Sequence, residues 1–93
     1  MEITVEGRTI HIAHRNATYN CCLDDIEVTL TVEGILPRLT ETEVLTGYGC
    51  WCICCYDVES TVVDLWPGTY VIKYCWDDYE TTDVCHTEEV EIE

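Results

Sequence analysis

The chain has 93 residues, the length of one domain, and carries nineteen Asp and Glu against four Lys and Arg for a formal net charge of -15. That balance repels nucleic acid and anionic lipid and attracts cations, so a nucleic-acid role is excluded. No segment approaches the roughly twenty apolar residues of a membrane span, and Met1-Glu2-Ile3 is no signal peptide, so the expectation is either a cytosolic chain or the mature part of an exported one.

A chain this short buries only about two thirds of its unfolded surface. With no Phe and a single Met, the filling falls to Tyr, Trp, Val, Ile, Leu and Cys. Eight cysteines in 93 residues approach the enrichment that marks a fold needing cross-links or metal.

The hydrophobic period is two nearly everywhere, which predicts strands. Ile3 and Val5 form the first and Ile10 and Ile12 the second, with Glu6-Gly7 as a tight turn between them. Cys21 and Cys22 follow, just ahead of the cleanest strand, in which Ile26, Val28, Leu30 and Val32 alternate with Glu27, Thr29, Thr31 and Glu33. Gly34 ends it. Pro37 argues for an edge or a bulge in the next segment, and Thr40 to Leu45 is poorly patterned. The stretch "CWCICC", Cys50 to Cys55, precedes a strand from Val58 to Leu65; Trp66-Pro67-Gly68 makes a turn into a strand from Thr69 to Trp76, and Val84 to Ile92 is the last strand. Short strands separated by turn signals every eight to twelve residues predict an all-β, antiparallel, immunoglobulin-like sandwich of about seven strands, one domain over residues 1–93.

The "LWPGTY" portion of "DLWPGTYVIKYCW" resembles the L-x-P-G-T-Y lead-in to a late strand of bacterial immunoglobulin-like and prealbumin-like surface modules. Read together, "HRNATYNCCLDDI", "CWCICCYDVESTVVDL" and "PGTYVIKYCW" resemble a cysteine-rich bacterial immunoglobulin-like β-sandwich domain of exported or lipid-anchored proteins of uncertain function. The resemblance implies a fold and an extracellular or cell-surface location, and no activity. A leader and a lipidation cysteine near the start, which such proteins carry, are not in this sequence.

The cysteines admit two uses. In an extended "CWCICC", Cys50, Cys52 and Cys54 face one side and Cys55 the other, with same-face neighbours roughly 6.5 to 7 Å apart. That spacing is at the upper limit for a disulfide, so bonds to other strands are favoured over bonds within the motif. Cys75 and Cys85 lie equidistant from Glu80 and suit a cross-strand bridge; Cys21 and Cys22 point opposite ways and can each reach the Cys50 to Cys55 group. All eight, Cys21, Cys22, Cys50, Cys52, Cys54, Cys55, Cys75 and Cys85, are therefore disulfide candidates. The alternative is thiolate binding of zinc or copper by Cys50, Cys52, Cys54 and Cys55, with His86 as a nitrogen ligand. Against it, nine aromatics and clear strand alternation are unlike metallothioneins.

Catalysis has little support. No G-x-S-x-G, H-E-x-x-H or phosphate loop occurs, and no basic neighbour activates a thiol, so no catalytic residue is assigned. Asp24-Asp25 and Asp77-Asp78-Tyr79-Glu80 offer oxygen ligands for calcium, though a solvated loop is the simpler reading. His11, His14 and His86 read as surface residues, and Asn16-Ala17-Thr18 is a glycosylation sequon. The expectation is a non-enzymatic, secreted structural or interaction module stapled by disulfides and needing no cofactor. Its partner would be a protein or copies of itself, met through sheet edges, with the first strand a candidate for exchange between copies.

Overall fold

The period-two alternation is realised as seven strands: β1 (Glu2–Glu6), β2 (Thr9–Asn20), β3 (Asp25–Glu33), β4 (Leu36–Val44), β5 (Ile53–Val62), β6 (Gly68–Trp76) and β7 (Val84–Ile92). The computed structural model describes residues 1–34, 36–77 and 84–93, and among them there is no helix. The strands form two sheets, ordered β1-β2-β5 and β3-β4-β6-β7. Ile10, Ile12 and Val62 of the first sheet and Leu39, Ile72, Tyr74, Val90 and Ile92 of the second make the core.

Two expectations need correction. The sandwich is not wholly antiparallel, because β4 and β6 pair in parallel through Arg38–Thr40 opposite Lys73–Cys75. A parallel pair needs a long crossover, and β5, which belongs to the other sheet, supplies it. Nor is the Pro37 segment an edge. β4 is central, with β3 on one side and β6 on the other, and Pro37 is tolerated because it stands one residue before the β6 pairing begins. The weak patterning of β4 has a cause described below: one of its inward positions is a carboxylate.

The strand with the cleanest alternation is poorly covered. β3 lies at an edge of the wider sheet, and the facing sheet is one strand narrower. Ile26 and Val28 are half-buried, whereas Leu30 and Val32 are 45% and 59% exposed. At the opposite side β1 packs against β7 and closes the sandwich.

β2 changes phase midway. Ile10, Ile12 and His14 point inward at even positions, and Ala17 and Tyr19 at odd ones. A β-bulge between His14 and Ala17 makes the switch, with Asn16 in the left-handed region at φ 58° and its N–H donated to Asp57 Oδ1 at 3.2 Å. Asn adopts this conformation more readily than most residues because its short polar side chain bonds locally. N16V should therefore cost about 1–2 kcal/mol while N16G stays close to neutral. Urea unfolding of the two variants checks this, and equal midpoints for both would sink it.

Candidate functional site: a three-sulfur cluster at one end of the sandwich

The register of β2 against β5 positions the cysteines. Tyr19 pairs with Cys54 and Asn20 with Ile53, and the Cys21 N–H continues the ladder by donating to the Cys52 carbonyl at 3.1 Å. Cys21 therefore stands directly across from Cys52 and diagonally from Cys54, and these three share the face on which Tyr19 is buried. Their sulfurs lie within 4.8 Å of one another, with Cys52 and Cys54 Sγ 3.8 Å apart. Cys21 is at bonding distance from both Cys52 and Cys54, with Cα separations of 5.4 and 5.0 Å, and can bond only one of them at a time.

The other cysteines sort cleanly. Cys22 points the opposite way from Cys21 and meets Cys50, with a Cα separation of 5.8 Å. Cys75 and Cys85 are register partners across β6 and β7, 4.2 Å apart at Cα, as their placement about Glu80 predicts. Cys55 is exposed and unpaired, on the outer face of β5.

Asn20 organises this end of the molecule, a role that sequence reasoning missed. Its side-chain oxygen accepts the N–H groups of Cys22 (2.9 Å) and Cys50 (3.1 Å), and its amide donates to the Cys50 carbonyl at 2.7 Å. A Cβ at Gly49 would lie 2.7 Å from that amide nitrogen, so the loop approaches Asn20 only because residue 49 is glycine. Held this way, the loop leaves Tyr48 and Trp51 fully exposed. The juxtaposition N-C-C in the sequence was the available signal, since Asn ending a strand commonly bonds to neighbouring backbone.

The metal set of the alternative reading, Cys50, Cys52, Cys54, Cys55 and His86, does not converge. Cys55 faces outward, Cys50 is engaged with Cys22, and His86 lies in the other sheet, 3.7 Å from Glu88. Strand pleating is the reason: adjacent residues cannot share a face, and Cys21 takes the place that the motif itself cannot fill. Of the acidic candidates, Asp24 accepts both the N–H and the hydroxyl of Thr46, which hold its carboxyl below the usual carboxylate range, and Asp25 accepts the N–H of Ile26. Asp78, Tyr79 and Glu80 lie outside the described residues.

Behind the cluster is a buried polar network. Glu41, on the inner face of β4, is 3% exposed and accepts hydrogen bonds from Tyr19, from Tyr74 at 2.5 Å and from His14 Nδ1 at 2.9 Å. His14 is thus no surface residue, and its ring packs 4.3 Å from that of Trp76. Burial pushes the Glu41 carboxyl up, but the bonds from His14, Tyr19 and Tyr74 outweigh it and leave the group below the usual carboxylate range. Burial, and then the bond to Glu41, push both tyrosine hydroxyls far above their ordinary value of 10.0.

The sign of each shift fixes its effect on stability. A lowered Glu41 contributes fully above its ordinary value of 4.5, and that contribution is lost as pH falls through the lower folded value. The raised tyrosines contribute below 10.0, and theirs is lost as pH rises beyond it. E41A, which leaves three donors without an acceptor, should cost about 3–5 kcal/mol. E41Q should flatten the acid limb of a urea-midpoint titration, and an unchanged acid limb would refute the assignment. For the thiols, the oxidised monomer should hold at most three disulfides, with Cys55 and one of Cys52 and Cys54 open to alkylation in the denatured, unreduced chain. Peptide mapping that finds four bridges within one chain would contradict this geometry. No protein-family model matches the chain, and no curated protein or solved structure is significantly similar to it.

Proposed function

We propose that the chain is a non-enzymatic, exported or cell-surface interaction module, an immunoglobulin-like sandwich held by disulfides, that associates with a second copy of itself through the edge of β3. The observation that carries this reading is the uncovered inner face of β3, where Leu30 and Val32 remain exposed beyond the rim of the narrower sheet. An exposed apolar edge strand offers both unpaired backbone groups and side chains to bury. A second β3 docked against it would extend the four-stranded sheet and cover those side chains.

The first strand fits the role less well than its position in the sequence suggests. β1 is paired with β2 along its whole length, and Met1 and Ile3 pack against the core. Export is supported by the pairs Cys22–Cys50 and Cys75–Cys85, since such bridges persist in oxidising compartments. Two of these features also suit an immunoglobulin-like arrangement, namely seven strands and a division into three and four.

Charge sets the conditions for association. Two copies at -15 each repel, and the repulsion between exposed charges is screened beyond about 10 Å at 0.1 M salt. Sedimentation equilibrium over a concentration series should therefore show a mass rising from 10.7 kDa toward twice that value, more readily at high salt than at low salt. The double variant L30K/V32K should stay monomeric throughout with unchanged unfolding. A monomeric wild type at high salt and high concentration would overturn the reading.

A further inference from the structure

We propose that Cys21, Cys52 and Cys54, when reduced, form a trigonal thiolate site for a soft monovalent cation, Cu(I). The proposal does not depend on association through β3. It begins from a parity that disulfides cannot satisfy. Three sulfurs meet at one point, within 4.8 Å of one another, and a bridge between any two leaves the third beside it as a thiol. A single metal ion uses all three. Thiolates at about 2.3 Å around a planar three-coordinate ion stand roughly 4 Å apart; Cys52 and Cys54 are already at 3.8 Å, and Cys21, at bonding distance from both, has to draw back from them once reduced.

The donor set selects the metal. Thiolates favour soft Cu(I), and three of them complete a trigonal shell, whereas structural zinc is almost always four-coordinate. Among the described residues no His, Asp, Glu or further Cys joins the trio within the same compass. The site is also prearranged. Cys21 is set by its own ladder bond to Cys52, and neighbouring residues, Cys22 after Cys21 and Cys50 two before Cys52, donate their N–H groups to the Asn20 side chain. Cys52 is exposed, which gives an ion a route in, and Cys21 and Cys54 are half-buried.

Binding balances as three S–H groups and one Cu(I) giving a complex of net charge minus two and three released protons. Three protons are released for each copper bound, so affinity should rise with pH.

The test uses the whole chain, reduced under anaerobic conditions and given one equivalent of Cu(I) in the presence of a competing Cu(I) chelator. Brief alkylation of the native protein, followed by peptide mapping, then reads which thiols the metal covers. The expected result is one copper per chain, alkylation of Cys21, Cys52 and Cys54 slowed at least tenfold, and Cys22, Cys50, Cys55, Cys75 and Cys85 modified at their metal-free rates. C55S should retain the copper and C21S should lose it. If C21S lacks the native near-UV circular dichroism, C54S decides in its place, since it leaves Cys21 and Cys52 free to pair. Copper surrendered to the chelator, protection of any other set of cysteines, or equal loss in C55S and C54S would each overturn the proposal.

Discussion

A carboxylate buried between two sheets is the constraint on which the rest of this fold depends. Taking an ion such as Glu41 out of water costs several kcal/mol, and only a complete set of partners offsets that cost. Its donors come from β2, in His14 and Tyr19, and from β6, in Tyr74. The Glu41 side chain therefore joins three strands in two sheets. This matters most for the parallel pairing of β4 with β6, which spans only Arg38–Thr40 before the strands part. So short a ladder specifies register weakly. A slip of two residues along β4 would carry the carboxylate away from Tyr74 and leave a charge and a hydroxyl buried without partners, and it is this penalty that holds the register.

The bulge at Asn16 is the second condition, because the Glu41 network cannot form without it. In an uninterrupted β2, inward-facing His14 would be followed by inward-facing Asn16 and Thr18, and Tyr19 and Cys21 would point to solvent. One extra residue reverses this. The same step that delivers the Tyr19 hydroxyl to Glu41 delivers the Cys21 sulfur to Cys52 and Cys54, so the polar core and the sulfur cluster share one cause.

How much of this the sequence discloses varies from one residue to the next. The existence of most strands and the opposition of Cys75 to Cys85 follow from alternation and from counting about a hairpin, which are local facts; the bounds do not, since β5 runs Ile53–Val62 instead of Val58 to Leu65 and so takes in the end of "CWCICC", and β2 runs on to Asn20. The apolar stripe of β3 is equally plain, yet its coverage depends on how many strands the other sheet contributes, and no feature within Ile26 to Val32 encodes that. His14 and Glu41 look like surface residues for the same reason: each is polar, Glu41 stands between two threonines and His14 beside Arg15, and burial becomes favourable only through partners 27 residues away in the chain. In the "CWCICC" motif, pleating correctly separates Cys55 from Cys54. What it could not supply was Cys21, whose inward direction is set by a bulge several residues earlier, at a position where Asn is the only local hint.

The composition of the inner face explains why sulfur is gathered at this end. Ile10, Ile12 and Val62 fill the first sheet's share of the core at the β1 end, but toward the other end of β2 and β5 the inward residues become His14 and Val58, Ala17 and Tyr56, then Tyr19 and cysteine. Beyond Tyr19, among the described residues of β2 and β5, no Leu, Ile or Val lies on that face to close the sandwich. Cysteine is small enough to occupy the tapering gap, apolar enough to sit against the Tyr19 ring, and able to form covalent or metal bonds where dispersion alone is too weak. A chain with a charge of -15 has a further need for such bonds, because self-repulsion acts on the open end where loops meet solvent. Cross-linking there ties the loop of Tyr48 and Trp51 to the strands that carry Tyr19 and Cys54, so the cluster braces the end of the molecule where Tyr19 donates to Glu41.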